Sequence, residues 1–414
     1  MKNSVPFKEL ASSYVCGRFK RVWVKKSDMP IYQPSAITEL HPKPDGYISK
    51  ATATDIDALR VHAGQVLLTC SGTIGKVSFV SKTLDGKIFS HDLLRISPKK
   101  FFDAGYIYAY LKSSVGQRIL LTNRYGAVIE HIEPEHLADI PVPDAPEDLK
   151  RKIHVLIVRS YELRDESNAL LDEAEKILID ALNLPPLEDF RNEKIFSVKL
   201  SNLRGRLDAS FHTPLVERII AHLQAHAAEV TTVADERISR AVILPGRFKR
   251  VYVDEGHGVP FFGGRSIGEL DPSDKKYLSF SQHSERIRNT LTIREKMILV
   301  TCSGTIGNVA LVPKHWDGWA MTHDIIRLIP TEELAGYVYV WLQTPYANEI
   351  IKSLSYGAVV MHIEKFHLEA VPVPLLKDTA AQIRINTLAL AANEKRFEAY
   401  RLEQAALKLL DFDF

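Results

Sequence analysis

Two textures alternate along the chain. Over residues 5–143, short apolar runs are broken by Gly, Pro, Asn and Asp. Val66-Leu67-Leu68-Thr69, Val77-Ser78-Phe79-Val80 and Leu93-Leu94-Arg95-Ile96 are the clearest runs; each ends in turn chemistry and predicts a strand. Apolar residues at helical spacing predict one helix over 105–121. The region closes on Pro141-Val142-Pro143, which cannot continue a helix and reads as extended. A different pattern follows. Residues 147–182 contain neither Gly nor Pro, and Leu149, Ile153, Leu156, Leu163, Leu170, Ala174, Ile177 and Ala181 fall on a 3–4 spacing, with Ser160 and Ser167 at the two remaining steps. The second half repeats both textures. A mixed region over 206–374 ends on Pro372-Val373-Pro374. A second seam over 380–410 runs through Ala381, Ile385, Leu388, Ala392, Ala399, Leu402, Ala406 and Leu409, with Lys395 as its one charged step. Both seams predict long helices with charged outer faces. At about 1.5 Å per residue each would extend roughly 50 Å, and packing against its twin is the economical way to bury its stripe.

The repetition extends to the residues themselves. Gly17-Arg18-Phe19-Lys20-Arg21-Val22 returns as Gly246-Arg247-Phe248-Lys249-Arg250-Val251. Thr69-Cys70-Ser71-Gly72-Thr73-Ile74-Gly75 returns as Thr301-Cys302-Ser303-Gly304-Thr305-Ile306-Gly307. Tyr125-Gly126-Ala127-Val128 and His131-Ile132-Glu133 return as Tyr356-Gly357-Ala358-Val359 and His362-Ile363-Glu364. A period of 20–50 residues would suggest a solenoid; a period near 230 means two domains of one fold. The expected organisation is an α/β (α+β) chain with a first globular domain over 1–143, a long helix over 144–183, a linker over 184–205, a second domain over 206–374 and a second long helix over 375–414. The two helices would be antiparallel and the whole pseudo-two-fold.

Composition changes this picture little. With 53 basic and 51 acidic side chains the net charge is +2, so nucleic-acid binding is neither demanded nor excluded and would depend on a local basic patch. Three cysteines (Cys16, Cys70, Cys302) argue against a disulfide framework and fit a reducing compartment. No apolar run reaches the ~18 residues of a membrane span, and the opening residues do not read as a signal peptide, so a cytoplasmic protein is expected.

The best local pointers to a ligand are the two basic-aromatic segments. In extended backbone Arg18, Lys20 and Val22 would face one way and Phe19, Arg21 and Trp23 the other. Such cations can position phosphates, and an Arg can read guanine through two hydrogen bonds. Edge strands also carry charges to discourage aggregation; recurrence in both halves, at Arg247, Lys249 and Arg250, favours the DNA reading. Lys76 and Arg124 are further candidates.

At this point the chain resembles the specificity subunit of type I restriction–modification systems. The Ser-Gly-Thr-Ile-Gly turns (Ser71 to Gly75, Ser303 to Gly307), the Tyr-Gly-Ala-Val…His-Ile-Glu…Pro-Val-Pro tails and the Arg206-Leu207-Asp208-Ala209-Ser210-Phe211-His212 segment carry the likeness over essentially the whole length. The first half departs from it by lacking a matching Arg-Leu-Asp-Ala entry. The resemblance implies a non-catalytic reader of double-stranded DNA whose target-recognition domains each recognise half of a bipartite, asymmetric target. The paired helices would set the spacer and dock methyltransferase (modification) subunits, which carry S-adenosylmethionine; a restriction subunit can join. No cofactor of its own is implied, and the hydropathy gives no expectation of a membrane partner.

Other motifs carry weaker signals. Cys70 to Lys76 imitates a P-loop, but Cys70 stands where the first Gly belongs and Val77 replaces the Ser/Thr. A strand–turn–strand, with Gly supplying φ > 0, fits better. His91-Asp92 and His323-Asp324 suggest part of a Ser-His-Asp triad with Ser71 or Ser303, yet neighbours on a strand point to opposite faces. His131, Glu133 and His136, like His362, Glu364 and His367, lack the i, i+4 histidine spacing of a helical zinc site. Pro134 instead predicts the first turn of a short helix with Glu133 and Glu135 near its positive end. Asn183-Leu184-Pro185-Pro186 is a poor match to an amino-methyltransferase motif, and Glu295-Lys296 is too little for a nuclease centre. The rivals are duplicated accessory domains of a methyltransferase or nuclease, and a protein-binding scaffold.

Overall fold

A computed structural model describes residues 4–122, 130–190, 195–203 and 205–410. It divides into two compact units, Met1–Asn168 with Glu398–Phe414, and Ala169–Phe397. Both are mixed α/β structures built on one plan.

In the first unit an antiparallel sheet runs in the order Ala11–Tyr14, Leu93–Pro98, Val66–Thr69, Val77–Phe79. A second sheet runs Trp23–Val24, Gly46–Ile48, Pro30–Tyr32, Ile88–Phe89, with its last pair parallel. Ser4–Pro6 pairs with Pro141–Pro143, so the Pro-Val-Pro exit is extended as its composition predicts. The central strand Val66–Thr69 shows why its run is apolar throughout. Val66 and Leu68 enter the core beneath Tyr106 and Ile107, while Leu67 joins Tyr32, Ile37 and Phe89 in a second core. Side chains alternate across a strand, so a sheet covered on both faces needs apolar residues at every step.

The second unit repeats the scheme. Its sheets run Ser239–Ile243, Ile325–Pro330, Ile298–Thr301, Val309–Leu311 and Tyr252–Val253, Lys276–Ser279, Gly258–Phe262, Ala320–Met321. Glu229–Thr232 pairs with Pro372–Leu375. Ile298 and Val300 face one core and Leu299 the other.

The single helix expected over 105–121 is two helices, Asp103–Lys112 and Ser114–Thr122. Ser113 takes an extended conformation between them, and its Oγ accepts from Gly116 N at 3.1 Å. In the second unit Thr344 does the same between Ala335–Gln343 and Pro345–Ser353, its Oγ1 accepting from Ala347 N at 3.2 Å. A hydroxyl that caps the next helix competes with continuation of the first, and apolar spacing does not register it.

The long helices span Glu147–Ala181 and Thr379–Lys408. Their buried line keeps Ile153, Ser160, Leu163, Ser167 and Ala174, and Ile385, Ala392, Ala399 and Ala406, as expected, but shifts by one residue at the steps between. In the second helix it passes through Ile385, Ala389, Ala392, Arg396, Ala399, Glu403 and Ala406 rather than Leu388, Lys395 and Leu402. In the first, Ile157, Leu171 and Leu178 are buried, while Leu156, Leu170 and Ile177 are partly exposed. Two adjacent stripes are apolar because the helices pack on their own units as well as on each other, and the sequence pattern does not choose between them. Ser160, fully buried, donates to the Ala399 carbonyl at 2.7 Å, a contact that two small residues permit.

The true seam therefore carries charge. In the first unit the Glu403 side chain is wholly buried and held by Lys112 at 2.6 Å, Arg164 at 2.8 Å and the Tyr108 hydroxyl. Burial pushes its carboxyl up, but the two cations outweigh this and bring its pKa to about 2. Replacing Glu403 with Gln leaves two cations without their counter-charge and should cost about 3–5 kcal/mol, read by urea unfolding. Because the folded pKa lies below the ordinary 4.5, the carboxylate's contribution is full above about pH 5. The difference between wild type and Glu403→Gln should shrink as pH falls from 4.5 towards 2.

Candidate nucleic-acid interface

Each unit presents its basic-aromatic segment as coil leading into a short strand, Trp23–Val24 or Tyr252–Val253. Burial alternates. Arg18, Lys20 and Val22 are exposed while Phe19 and Arg21 are half-buried; Arg247, Lys249 and Val251 are exposed while Phe248 and Arg250 are half-buried. Trp23, expected on the same side as Phe19 and Arg21, is 50% exposed, although the Arg21 guanidinium lies 5.9 Å from its ring.

The inward arginines are tied down. Arg21 Nη2 donates to Ser90 Oγ at 2.9 Å, and Phe19 packs edge-on to His91. Arg250 Nη2 lies 3.4 Å from His323 Nδ1. The next turn corrects an expectation. His91-Asp92 and His323-Asp324 lie in bends or turns between strands, not on strands, so neighbouring side chains do meet: His91 Nε2 is 3.3 Å from Asp92 Oδ2, and His323 Nε2 is 3.3 Å from Asp324 Oδ1. Burial lowers both histidine pKa values, and the segment's own arginines lower them further: Arg21 and Arg18 at His91, Arg250 and Arg247 at His323. Neutral imidazoles therefore receive the segment at neutral pH.

Beneath this turn lies a residue that the sequence reading passed over. Arg95, fully buried, donates to the carbonyls of Leu93 and Leu59 (both 3.0 Å), Phe89 (3.1 Å) and Ser90 (3.5 Å). Arg327 donates to Ile325 (2.5 Å), Met321 (2.7 Å), Thr322 (3.0 Å) and Leu291 (3.4 Å). Burial lowers the pKa of both, that of Arg327 to about 9. The available signal was a charged residue at one register of two apolar strands, Leu94-Arg95-Ile96 and Ile326-Arg327-Leu328. A second pair was also missed: Val22 N donates to Thr52 Oγ1 at 3.3 Å, and Val251 N to His283 Nε2 at 3.1 Å.

The Ser-Gly-Thr-Ile-Gly turns join strands, with Gly72 and Gly75 at φ +69° and +97° and Gly304 and Gly307 at +72° and +85°. Lys76, at the end of the first turn, is half-buried, with Nζ 3.4 Å from Thr38 Oγ1. Arg124 and Tyr125 to Val128 lie outside the described residues. Glu133 and Glu364 cap short helices, and their amides donate to His136 Nδ1 at 3.2 Å and His367 Nδ1 at 2.9 Å. Pro134 opens its helix, Pro134–Ala138, as predicted, and the histidines complete the capping boxes. Thus Arg18, Lys20 and Arg21 sit together in the first unit, and Arg247, Lys249 and Arg250 in the second. Among the described residues no cluster of three metal-ligating side chains occurs, and no helix is long and apolar enough to cross a membrane.

Three solved structures are similar to this chain over its length. One is the S subunit of a type I restriction–modification system from M. genitalium, 14% identical, covering 100% of this chain and 96% of that one, with a TM-score of 0.39. A second is the HsdS subunit from Thermoanaerobacter tengcongensis, at 14% identity, 99% and 95% coverage and a TM-score of 0.31. The third is from work on complex assembly and conformational transition of the type I R-M system, at 16% identity, 98% and 96% coverage and a TM-score of 0.30. No family model and no curated protein matches the chain.

The buried arginines yield a direct expectation. Arg327→Met keeps much of the volume but removes the donor to four carbonyls. The loss should be about 3 kcal/mol or more, measured as a fall in thermal unfolding temperature of the full chain.

Proposed function

We propose that the chain is a DNA-sequence specificity subunit of a type I restriction–modification complex. The supporting observation is that two compact units each expose the same pair of cations, Arg18 and Lys20 or Arg247 and Lys249, on a segment whose third arginine reaches inward to the histidine turn, Arg21 to Ser90 and Arg250 to His323. The exposed cations would hold phosphates, and neighbouring side chains would read base edges.

In this reading residues 1–143 and 206–374 are target-recognition domains, each recognising one part of a bipartite, asymmetric sequence in double-stranded DNA. The long helices over 144–183 and 375–414 set the spacer and dock methyltransferase subunits, and residues 184–205 link the halves. The chain itself is non-catalytic. S-adenosylmethionine would be held by the methyltransferase subunits, and a restriction subunit would complete the assembly.

Two measurements test this. Arg18→Ala with Lys20→Ala should weaken binding to all duplexes alike and reduce the slope of log affinity against log salt by about 2, one for each lost phosphate contact; an unchanged slope would remove these residues from the interface. Lengthening both helices by matched whole turns should change the spacer in the motif methylated by the complex and leave both half-sites intact. A spacer that stays the same refutes the ruler.

A further inference from the structure

Framework recurs between the two units, so sequence discrimination belongs where they differ. The sharpest difference lies directly after the strand that pairs with the basic segment. In the first unit, residues 49–60 are bends and one 3-10 turn, Asp57–Leu59. In the second, residues 279–292 hold a helix, Phe280–Arg286, kinked at His283 and running into a π-helical turn, Ile287–Leu291. π-Turns occur disproportionately at functional sites.

The two different segments are fastened at matching points. Ser49 N donates to Val22 O at 2.8 Å, and Ser279 N to Val251 O at 2.9 Å. The amides of Val22 and Val251 are taken by Thr52 and His283. At the far end, Arg95 holds the Leu59 carbonyl and Arg327 the Leu291 carbonyl. The second unit adds Arg286, which donates to Gly246 O at 3.2 Å and lies 5.1 Å from the Phe248 ring centroid. Its helix is therefore pinned along the segment that exposes Arg247 and Lys249.

What this helix turns outward is polar. Ile287 and Leu291 are buried, whereas Gln282, Glu285, Arg286, Arg288 and Asn289 are exposed. Gln282 and Asn289 line one open cleft of about 480 Å³, and among the described residues neither carboxamide has a protein hydrogen-bond partner. A carboxamide offers one donor and one acceptor side by side, the pattern that matches the N6 and N7 edge of adenine. Arg288, with its guanidinium 5.3 Å from the Phe280 ring centroid, carries the fork that matches guanine. The first unit has Lys50, Ala51, Thr52, Ala53 and Thr54 at the corresponding place, with no carboxamide.

We propose that residues 280–291 form the base-reading element of the second unit. The helix enters the major groove and presents Gln282 and Asn289 to base edges while Arg247 and Lys249 hold the adjoining phosphates. This rests on the DNA reading given above. It makes the two halves of the target chemically unlike because the two fastened segments are unlike.

The test is selection of the full chain on random-sequence duplex DNA, using wild type, Gln282→Ala with Asn289→Ala, and Arg247→Ala with Lys249→Ala. Wild type should enrich a two-part motif. The carboxamide variant should lose base preference in one part only, bind the wild-type motif about 5- to 150-fold more weakly for each lost bidentate contact, and keep its salt slope. Retention of the other part shows that the variant is folded. The cation variant should keep the motif and lose salt slope. If the carboxamide variant enriches the same two-part motif as wild type, the helix is not the reader, although the chain still reads DNA. If wild type enriches no motif, the DNA reading fails and the inference fails with it.

Discussion

A guanidinium buried with carbonyl oxygens for company is an expensive thing to place in a protein, and each unit has one. Arg95 and Arg327 stand on the face of the first sheet that looks toward the second, and each reaches carbonyls from its own strand, from the preceding strand of the other sheet and from the end of the segment that differs between the units. Desolvation disfavours the charge, and the fan of acceptors offsets it. One side chain thereby fixes the spacing of two sheets and the position of the histidine turn on which the outer arginine rests. Remove it and the exposed cations lose a common reference.

The long helices follow a related logic with opposite charge. Glu403 is buried and is stable there because Arg164, Lys112 and Tyr108 converge on it. The interaction joins residues nearly 300 positions apart, |i−j| being 295 for the tyrosine. A buried ionic group contributes less to stability than its Coulomb energy suggests, but a helix that slid by one turn would strand it. A purely apolar seam of alanines and leucines would resist such a slip far less.

The sequence made the broad scheme readable because the constraints behind it are periodic. The continuous apolar run Val66–Thr69, the 3–4 spacing of the long helices and the glycine turns are each plain local patterns, and a repeat near 230 residues doubles each signal. Phase was less readable than period. Leu156 and Ile157 are both apolar, and only the packing of the helix on its own unit decides that Ile157 is fully buried. Single polar side chains were the least readable. Ser113 interrupts a helix by capping the next, His91 meets Asp92 because the chain bends there, and Arg95 looks like a solvated charge until its carbonyl partners are seen. That Arg18 and Lys20 share one side, opposite Phe19 and Arg21, was legible from alternation alone. The anchors Thr52 and His283 were not, since nothing local marks a hydroxyl and an imidazole as equivalents.

That equivalence bears on how such a chain can change. The fixed end of the anchor is a main-chain N–H, of Val22 or of Val251, present whatever the side chain. The incoming segment has to supply only an acceptor at one place and a carbonyl at its far end for the buried arginine. A bend-rich stretch with a threonine meets that requirement, and so does a kinked helix with a histidine. Inheritance can therefore treat the segment as an exchangeable cassette, replaced whole by recombination or drift while the sheets beneath it stay as they were.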